Sequence, residues 1–357
     1  MAPRIAIVPF ALAASLLSQE SSRQTTVSSV DLNGRRVEAA SYSSLSNGAG
    51  SRRVETTRSI NGRVAPLETT EDKLIRQDSN GRVIERTVRR YDPGGGDGRP
   101  DIVRIEERRN PDGSLTVQAV TYRSDLNGNK QVVERVTTDT RKGAAVETTT
   151  VVERPSINGG LQTSERTQSV ERISGNSTQT EATTYRADAS GNLYPAAREV
   201  KVVEKSGNLE KTDSARYEPG SSGRMELSAR TVGKVKTNPD GSQVEEIEVY
   251  GRRMAFNASD VEAAAPRLQQ QIVTQRSAPG PGNVVVEKTS VRGRLPADPS
   301  RFGDYEEVTK VTRTTVDPAG REVKNIESTV GRRDSNGRLQ AQEVIREQSV
   351  ETKAAPK

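Results

Sequence analysis

The chain has 357 residues, 54 Lys and Arg against 48 Asp and Glu, a net charge of +6 and only 31% hydrophobic residues. It contains no Cys and no His, which excludes disulfides, thiolate metal sites, His-based triads and the zinc motifs that need His. Aromatic residues are 3% with no Trp, so the composition predicts a thin or extended structure rather than a large compact core. Basic and acidic residues alternate, and stacking platforms are missing; a solvated mixed-charge surface is favoured over nucleic-acid binding.

The chain opens with Arg4 and the apolar stretch "IAIVPFALAASLL" from Ile5 to Leu17, followed by "SQESS". This reads as an export signal over 1–19, too short for a transmembrane helix. No later segment is apolar enough to span a bilayer as a helix, so no integral membrane segment is expected in the mature chain. Residues 20–80 read as a Ser-rich region of irregular β repeats.

From Gly81, turn-like glycines recur at 98, 113, 128, 143, 159, 175, 191, 207, 223 and 241, ten steps over 160 residues. They sit in "DSNGR", "NPDGS", "DLNGN" and "SINGG", the chemistry of tight hairpin turns. Between them lie stretches such as "QVVERVTTDT" and "SQVEEIEVY", rich in the β-branched residues of strands. The expected fold is therefore all-β: an extended antiparallel meander of ~16-residue strand–turn units, most regular over 81–251.

Tyr91, Tyr122, Tyr185 and Tyr217 each precede a turn, at spacings of 31, 63 and 32. The repeat is a hairpin of 31–32 residues, and its missing tyrosine falls near Glu153. These four tyrosines mark a possible ligand or partner edge, against the simpler role of cross-strand packing beside a turn.

The array is interrupted over 252–283. "NASDVEAAAPRLQQQIVTQR" reads as a short helix near 259–272, with Ser259 as N-cap and Glu262 closing a capping box, before the Pro/Gly linker "SAPGPGN". Strands resume over 284–352, and 353–357 form a tail. No catalytic, cofactor-binding or metal-ligating set stands out, and no cofactor is expected. "DLNGN" places Gly fourth rather than sixth, unlike a calcium loop, and the abundant carboxylates read as a salt-paired sheet surface rather than a glycosidase pair.

"RYDPGGGDGR" (90–99), "YRSDLNGN" (122–129) and "RADASGN" (186–192) resemble the tyrosine-aspartate (YD or RHS) repeats of bacterial secreted proteins. The resemblance covers about 78–225 and implies an extracellular β-shell or adhesion scaffold. No cargo or autoprotease site of that family has a matching motif here.

Cross-strand pairs contribute only ~0.2–1 kcal/mol each, against ~1–2 kcal/mol per residue of backbone ordering. The Val/Ile face of the sheet must therefore bury something. The sequence thus predicts a secreted or periplasmic, non-catalytic scaffold that self-associates or binds an envelope protein or glycan. A carbohydrate-binding or adhesive module using the tyrosine edge is the alternative.

Overall fold

The structure is a computed structural model of the full chain. It describes residues 20–351 apart from 31–35, 48–49, 61–62, 93–97, 126, 158, 221, 252–265, 296–297 and 334–337. The expected leader over 1–19 and tail over 353–357 lie outside the described residues.

Twenty strands form one antiparallel sheet. In chain order they are β1 (Glu20–Val30), β2 (Arg36–Asn47), β3 (Ser51–Ile60), β4 (Arg63–Asp78), β5 (Gly81–Arg90), β6 (Asp101–Arg109) and β7 (Leu115–Ser124). Then come β8 (Lys130–Lys142), β9 (Val146–Pro155), β10 (Leu161–Ser174), β11 (Ser177–Ala187), β12 (Leu193–Ser206), β13 (Leu209–Pro219) and β14 (Met225–Thr237). The last are β15 (Gln243–Gly251), β16 (Arg267–Arg276), β17 (Val284–Leu295), β18 (Asp298–Val316), β19 (Glu322–Arg333) and β20 (Leu339–Glu351). Each pairs with the next, as the turn spacing predicts.

The sheet closes. β1 pairs with β20 from Ser21–Glu351 to Ser29–Glu343, as well as with β2. An extended meander becomes a barrel, and the free edges disappear. Twenty strands enclose a space too wide for side chains to fill; barrels of about 16–18 strands already hold an aqueous channel. The accessible surface agrees. It is 23818 Å², whereas a compact monomer of this mass exposes about 14,000 Å². The wall is one strand layer thick and wetted on both sides.

The expected helix is absent where its second half is described. Residues 267–276 are strand β16, with Ile272 between Ile247 of β15 and Val291 of β17. Pairing on both sides outweighs the local helix signal, because the strand satisfies its whole backbone in the ladder. The proposed caps Ser259 and Glu262 lie outside the described residues.

Which face is outside follows from register. Hairpin β10–β11 turns through Gly175 and Asn176, so Ser174–Ser177 and every second pair up to Arg166–Tyr185 exchange hydrogen bonds. For L-residues this fixes the left-to-right order of strands seen from the Tyr185 side. Cross-strand partners Arg108, Thr116, Asp139, Thr149, Gln168, Thr183, Arg198 and Tyr217 run from the C-terminal end of β6 to the C-terminal end of β13. Successive strands are thus staggered, and the strands lean right when seen from that side. Neighbouring strands twist by about −20 to −25°, which produces this lean only when seen from outside the barrel. The Tyr185 face is outer and the Ile84 face is inner. Burial agrees: Ile84, Ile105, Ala119, Val152, Ala197 and Val291, six of the nine buried hydrophobics, lie on the inner face.

The inner wall is built from cross-strand rows. Leu74, Ile84, Ile105, Ala119, Val136 and Val152 form an apolar row that runs into Glu165 and Arg186. Ile84, Ile105 and Ala119, with Leu74, Val103 and Val117, form the buried cluster. Beside it runs a hydroxyl row of Thr138, Thr150, Thr167 and Thr184, with hydroxyl contacts of 3.1 Å for Thr138–Thr150 and for Thr167–Thr184. The apolar face that the sequence left uncovered is wrapped around the lumen.

Candidate functional site: one mouth of the barrel

The two ends of the barrel differ. At the end where odd-numbered strands finish, Tyr122, Tyr185, Tyr217 and Tyr250 occupy the same position on β7, β11, β13 and β15. Each stands at a register shift, opposite Val132, Pro195, Leu227 and Leu268 respectively. A bulge puts one extra residue in the partner strand and bends it, as is common at barrel rims. On β9 the same position is Glu153, at the shift that leaves Ser164 extra. The missing tyrosine thus falls where the spacing placed it. Tyr91 closes the end of β5, its N–H donating to the Leu67 carbonyl at 3.0 Å.

These tyrosines share the outer face, and their neighbours in sequence point inward. The repeated "Tyr-Arg" and "Arg-Tyr" pairs therefore build two concentric rings. The inner one consists of Arg–carboxylate pairs: Arg123 to Asp101 at 2.8 and 2.9 Å, Arg154 to Glu134 at 2.9 and 3.0 Å, Arg186 to Glu165 at 3.3 Å, and Arg216 to Glu199 at 2.8 Å. Arg332 and Glu306 continue it at 2.8 Å. Asp101, 7% exposed, also accepts from Arg90 at 3.1 Å. Strand alternation projects these groups toward the lumen. Rings of charge at a pore mouth select among polar solutes. Sequence reasoning found the tyrosines but missed these arginines, although Arg90, Arg123, Arg186 and Arg216 each stand beside one; the signal was the dipeptide, and what it lacked was which neighbour faced in.

Asp-capped turns join several strands at this mouth. Asp125 Oδ1 accepts from the N–H groups of Asn127 and Asn129 at 2.9 Å each, and Asp188 does the same for Ser190 and Asn192 at 2.8 and 2.9 Å. Backbone donation, foremost from Asn129 and Asn192, holds both carboxyls below the ordinary aspartate value. Gly128 sits at φ 86°, a conformation open to glycine at little cost. These carboxylates are occupied by the turn itself, and among the described residues no group of three or more acidic side chains is placed to hold a metal ion.

The outer wall is charged through its height. Arg135–Glu153, Arg198–Glu181, Arg230–Asp213 and Arg346–Glu327 pair at 3.4, 2.8, 2.6 and 2.9 Å. A groove of about 530 Å³ lies across β12–β14, with Val200, Val202, Ala215 and Val232 beside Lys211 and Lys234. The described outer residues do not form the continuous apolar band, about 25 Å tall, of lipid-facing barrels.

No family model matches the chain, and no curated protein matches it. Solved structures do. A BenF-like porin from Pseudomonas fluorescens Pf-5 aligns at 11% identity with a TM-score of 0.47, over 94% of this chain and 98% of that one. OccK2 (OpdF) from Pseudomonas aeruginosa aligns at 12% and 0.48, over 94% and 98%. OpdO from Pseudomonas aeruginosa aligns at 11% and 0.46, over 94% and 96%.

Three expectations change. The self-associating scaffold rested on an uncovered apolar face and free edges; the β1–β20 seam removes the edges and turns that face toward the lumen. The carbohydrate-binding alternative needed an open tyrosine edge; the tyrosines instead sit at bulges around the rim of a closed barrel. The expectation of no integral membrane segment rested on helices alone. No helix here is long and apolar enough to cross a membrane, but closed barrels are the other architecture that can, so that expectation is withdrawn.

Proposed function

We propose that the protein is a channel: a hollow β-barrel of the bacterial cell envelope that passes small polar solutes through a water-filled lumen. The observation that carries this reading is closure of the sheet at twenty strands, a number that leaves the interior open. Beside the apolar row, the hydroxyl row and the Arg–carboxylate ring give that interior polar surface whose charges are paired, suited to passage rather than tight binding. The export signal in the sequence supports a place outside the cytoplasm.

The chain has no cysteine, so Thr150→Cys on the inner wall creates a single reporter. A small charged maleimide should label it at close to the rate of an exposed thiol, and a maleimide on a polymer coil wider than the lumen should not. Failure of the small reagent means a filled interior; equal labelling by both means an open sheet. Vesicles carrying the barrel should also release an entrapped small sugar. Retention of the sugar by a barrel that passes the labelling test would overturn the channel reading while leaving the hollow fold in place.

A further inference from the structure

The inner ring at the tyrosine mouth has an order that its separate pairs do not require. From β4 to β13 the ring residues alternate in sign from strand to strand. Even-numbered strands supply the carboxylates, from Glu68 to Glu199, and odd-numbered strands supply the arginines, at 90, 123, 154, 186 and 216. Each arginine finds its acid on the preceding strand. Glu68 and Arg90 begin the series at 3.0 Å, and Arg90 also reaches Asp101 at 3.1 Å. Glu306 of β18 and Arg332 of β19 repeat the same order at 2.8 Å. The hairpin repeat writes this pattern, because every even–odd hairpin of the series carries one acid and one arginine at the same end.

Alternation cancels the field. Neighbouring strands lie ~4.8 Å apart, so like charges recur about every 10 Å around the mouth. The potential of an array that alternates in sign decays over roughly one-sixth of its period, here about 2 Å. A ring of one sign reaches a full Debye length, about 10 Å at 0.1 M salt. Deeper in the lumen, Arg86–Asp72, Arg82–Glu107 and Lys205–Glu210 are closed in the same way, at 2.6, 2.7 and 3.1 Å.

We propose that the alternating ring makes the mouth blind to the sign of charge: it admits small anions, cations and zwitterions alike and sorts them by size. The paired arginines and carboxylates are then the residues that determine specificity, through their balance. The same arginines without their acids would favour anions, and the same acids without their arginines would favour cations. This inference deepens the channel reading and rests on it.

Thr150→Cys, about 14 Å from Arg154 along β9, reads the potential that the ring casts into the lumen. It is reacted with methanethiosulfonates bearing a quaternary ammonium or a sulfonate, at about 10 mM salt, where the Debye length is about 30 Å. The ratio of the two rates should match that of free cysteine. Adding Arg123→Gln/Arg154→Gln/Arg186→Gln should shift it severalfold toward the cationic reagent. Adding Glu134→Gln/Glu165→Gln/Glu199→Gln should shift it by a similar factor toward the anionic one. In planar bilayers under a salt gradient, the parent should reverse near zero potential and the two variants at opposite signs. A parent that discriminates severalfold, or two variants that shift together or not at all, overturns the proposal. So does protection of the thiol from both reagents, which also means a filled lumen. Should a triple variant lose its sheet signal, Arg154→Gln and Glu134→Gln, the two halves of one pair, should still move the rates in opposite directions. A conducting parent with a strong preference for one sign would sink the ring and keep the channel; matched rates without conductance would do the reverse.

Discussion

The two rims of this barrel solve the same problem differently. At the far rim, hairpins β10–β11 and β12–β13 turn through two residues, with Gly175 at φ 56° and Gly207 at φ 58°. Their ladders run unbroken into the turn. At the tyrosine rim the turns of β7–β8 and β11–β12 take five residues, are held by an Asp carboxylate, and are preceded by a bulge. All but one of the register shifts in the sheet lie at that rim; the exception is at Leu74 and Arg76 of β4. The far rim is thus plain geometry, and the tyrosine rim is where the chain places charge, aromatic rings and extra twist. The difference teaches that end, not strand, is the unit of specialisation here.

The sharpest way to break the comparison is at the far rim. Gly175→Val with Gly207→Val forces two β-branched residues into left-handed backbone, at ~1–2 kcal/mol each. Thermal unfolding should show a loss of that order. A substitution of the same kind inside an Asp-held turn, Asn127→Val, should cost less, since Asn127 has no positive φ.

A smaller effect tests the inner ring. Asp101→Leu leaves Arg90 and Arg123 without their shared acceptor. Both arginines reach solvent, so the expected loss is about 1–3 kcal/mol, read from a denaturant midpoint. No change would mean that the ring contributes nothing to the mouth's stability.

The smallest effect is acid sensitivity of the Asp-held turns. The folded carboxyls of Asp125 and Asp188 lie below the ordinary value of 3.8. Their contribution is complete above 3.8 and is lost as the pH falls through the lower, folded value. Melting temperature should therefore drop as the pH falls below about 3.8, and drop less in Asp125→Asn/Asp188→Asn. Hairpins β10–β11 and β12–β13 have no carboxylate in their turns, and resonances there should not follow this titration.

Much of the architecture was legible before any coordinates. The "DLNGN" and "ADASGN" turns, the 31–32-residue hairpin, and the vacancy at Glu153 follow from turn chemistry and period alone, because hairpin geometry is local. The helix near 259–272 was misread for the complementary reason: Leu268 to Arg276 have ambiguous propensity, and only Ile247 and Val291 on either side make them a strand.

What the sequence by itself determined was a long antiparallel meander with Tyr91, Tyr122, Tyr185 and Tyr217 at strand ends in one phase of the repeat, because side-chain alternation and turn signals act over a few residues. The tertiary structure decided that the meander closes, since β1 and β20 meet across more than 300 residues with no local mark of their pairing. It also decided which face looks in. Alternation puts Tyr122 and Arg123 on opposite sides of the wall, but only the right-handed twist, summed over a closed sheet, turns the arginine toward the lumen and leaves the tyrosine outside.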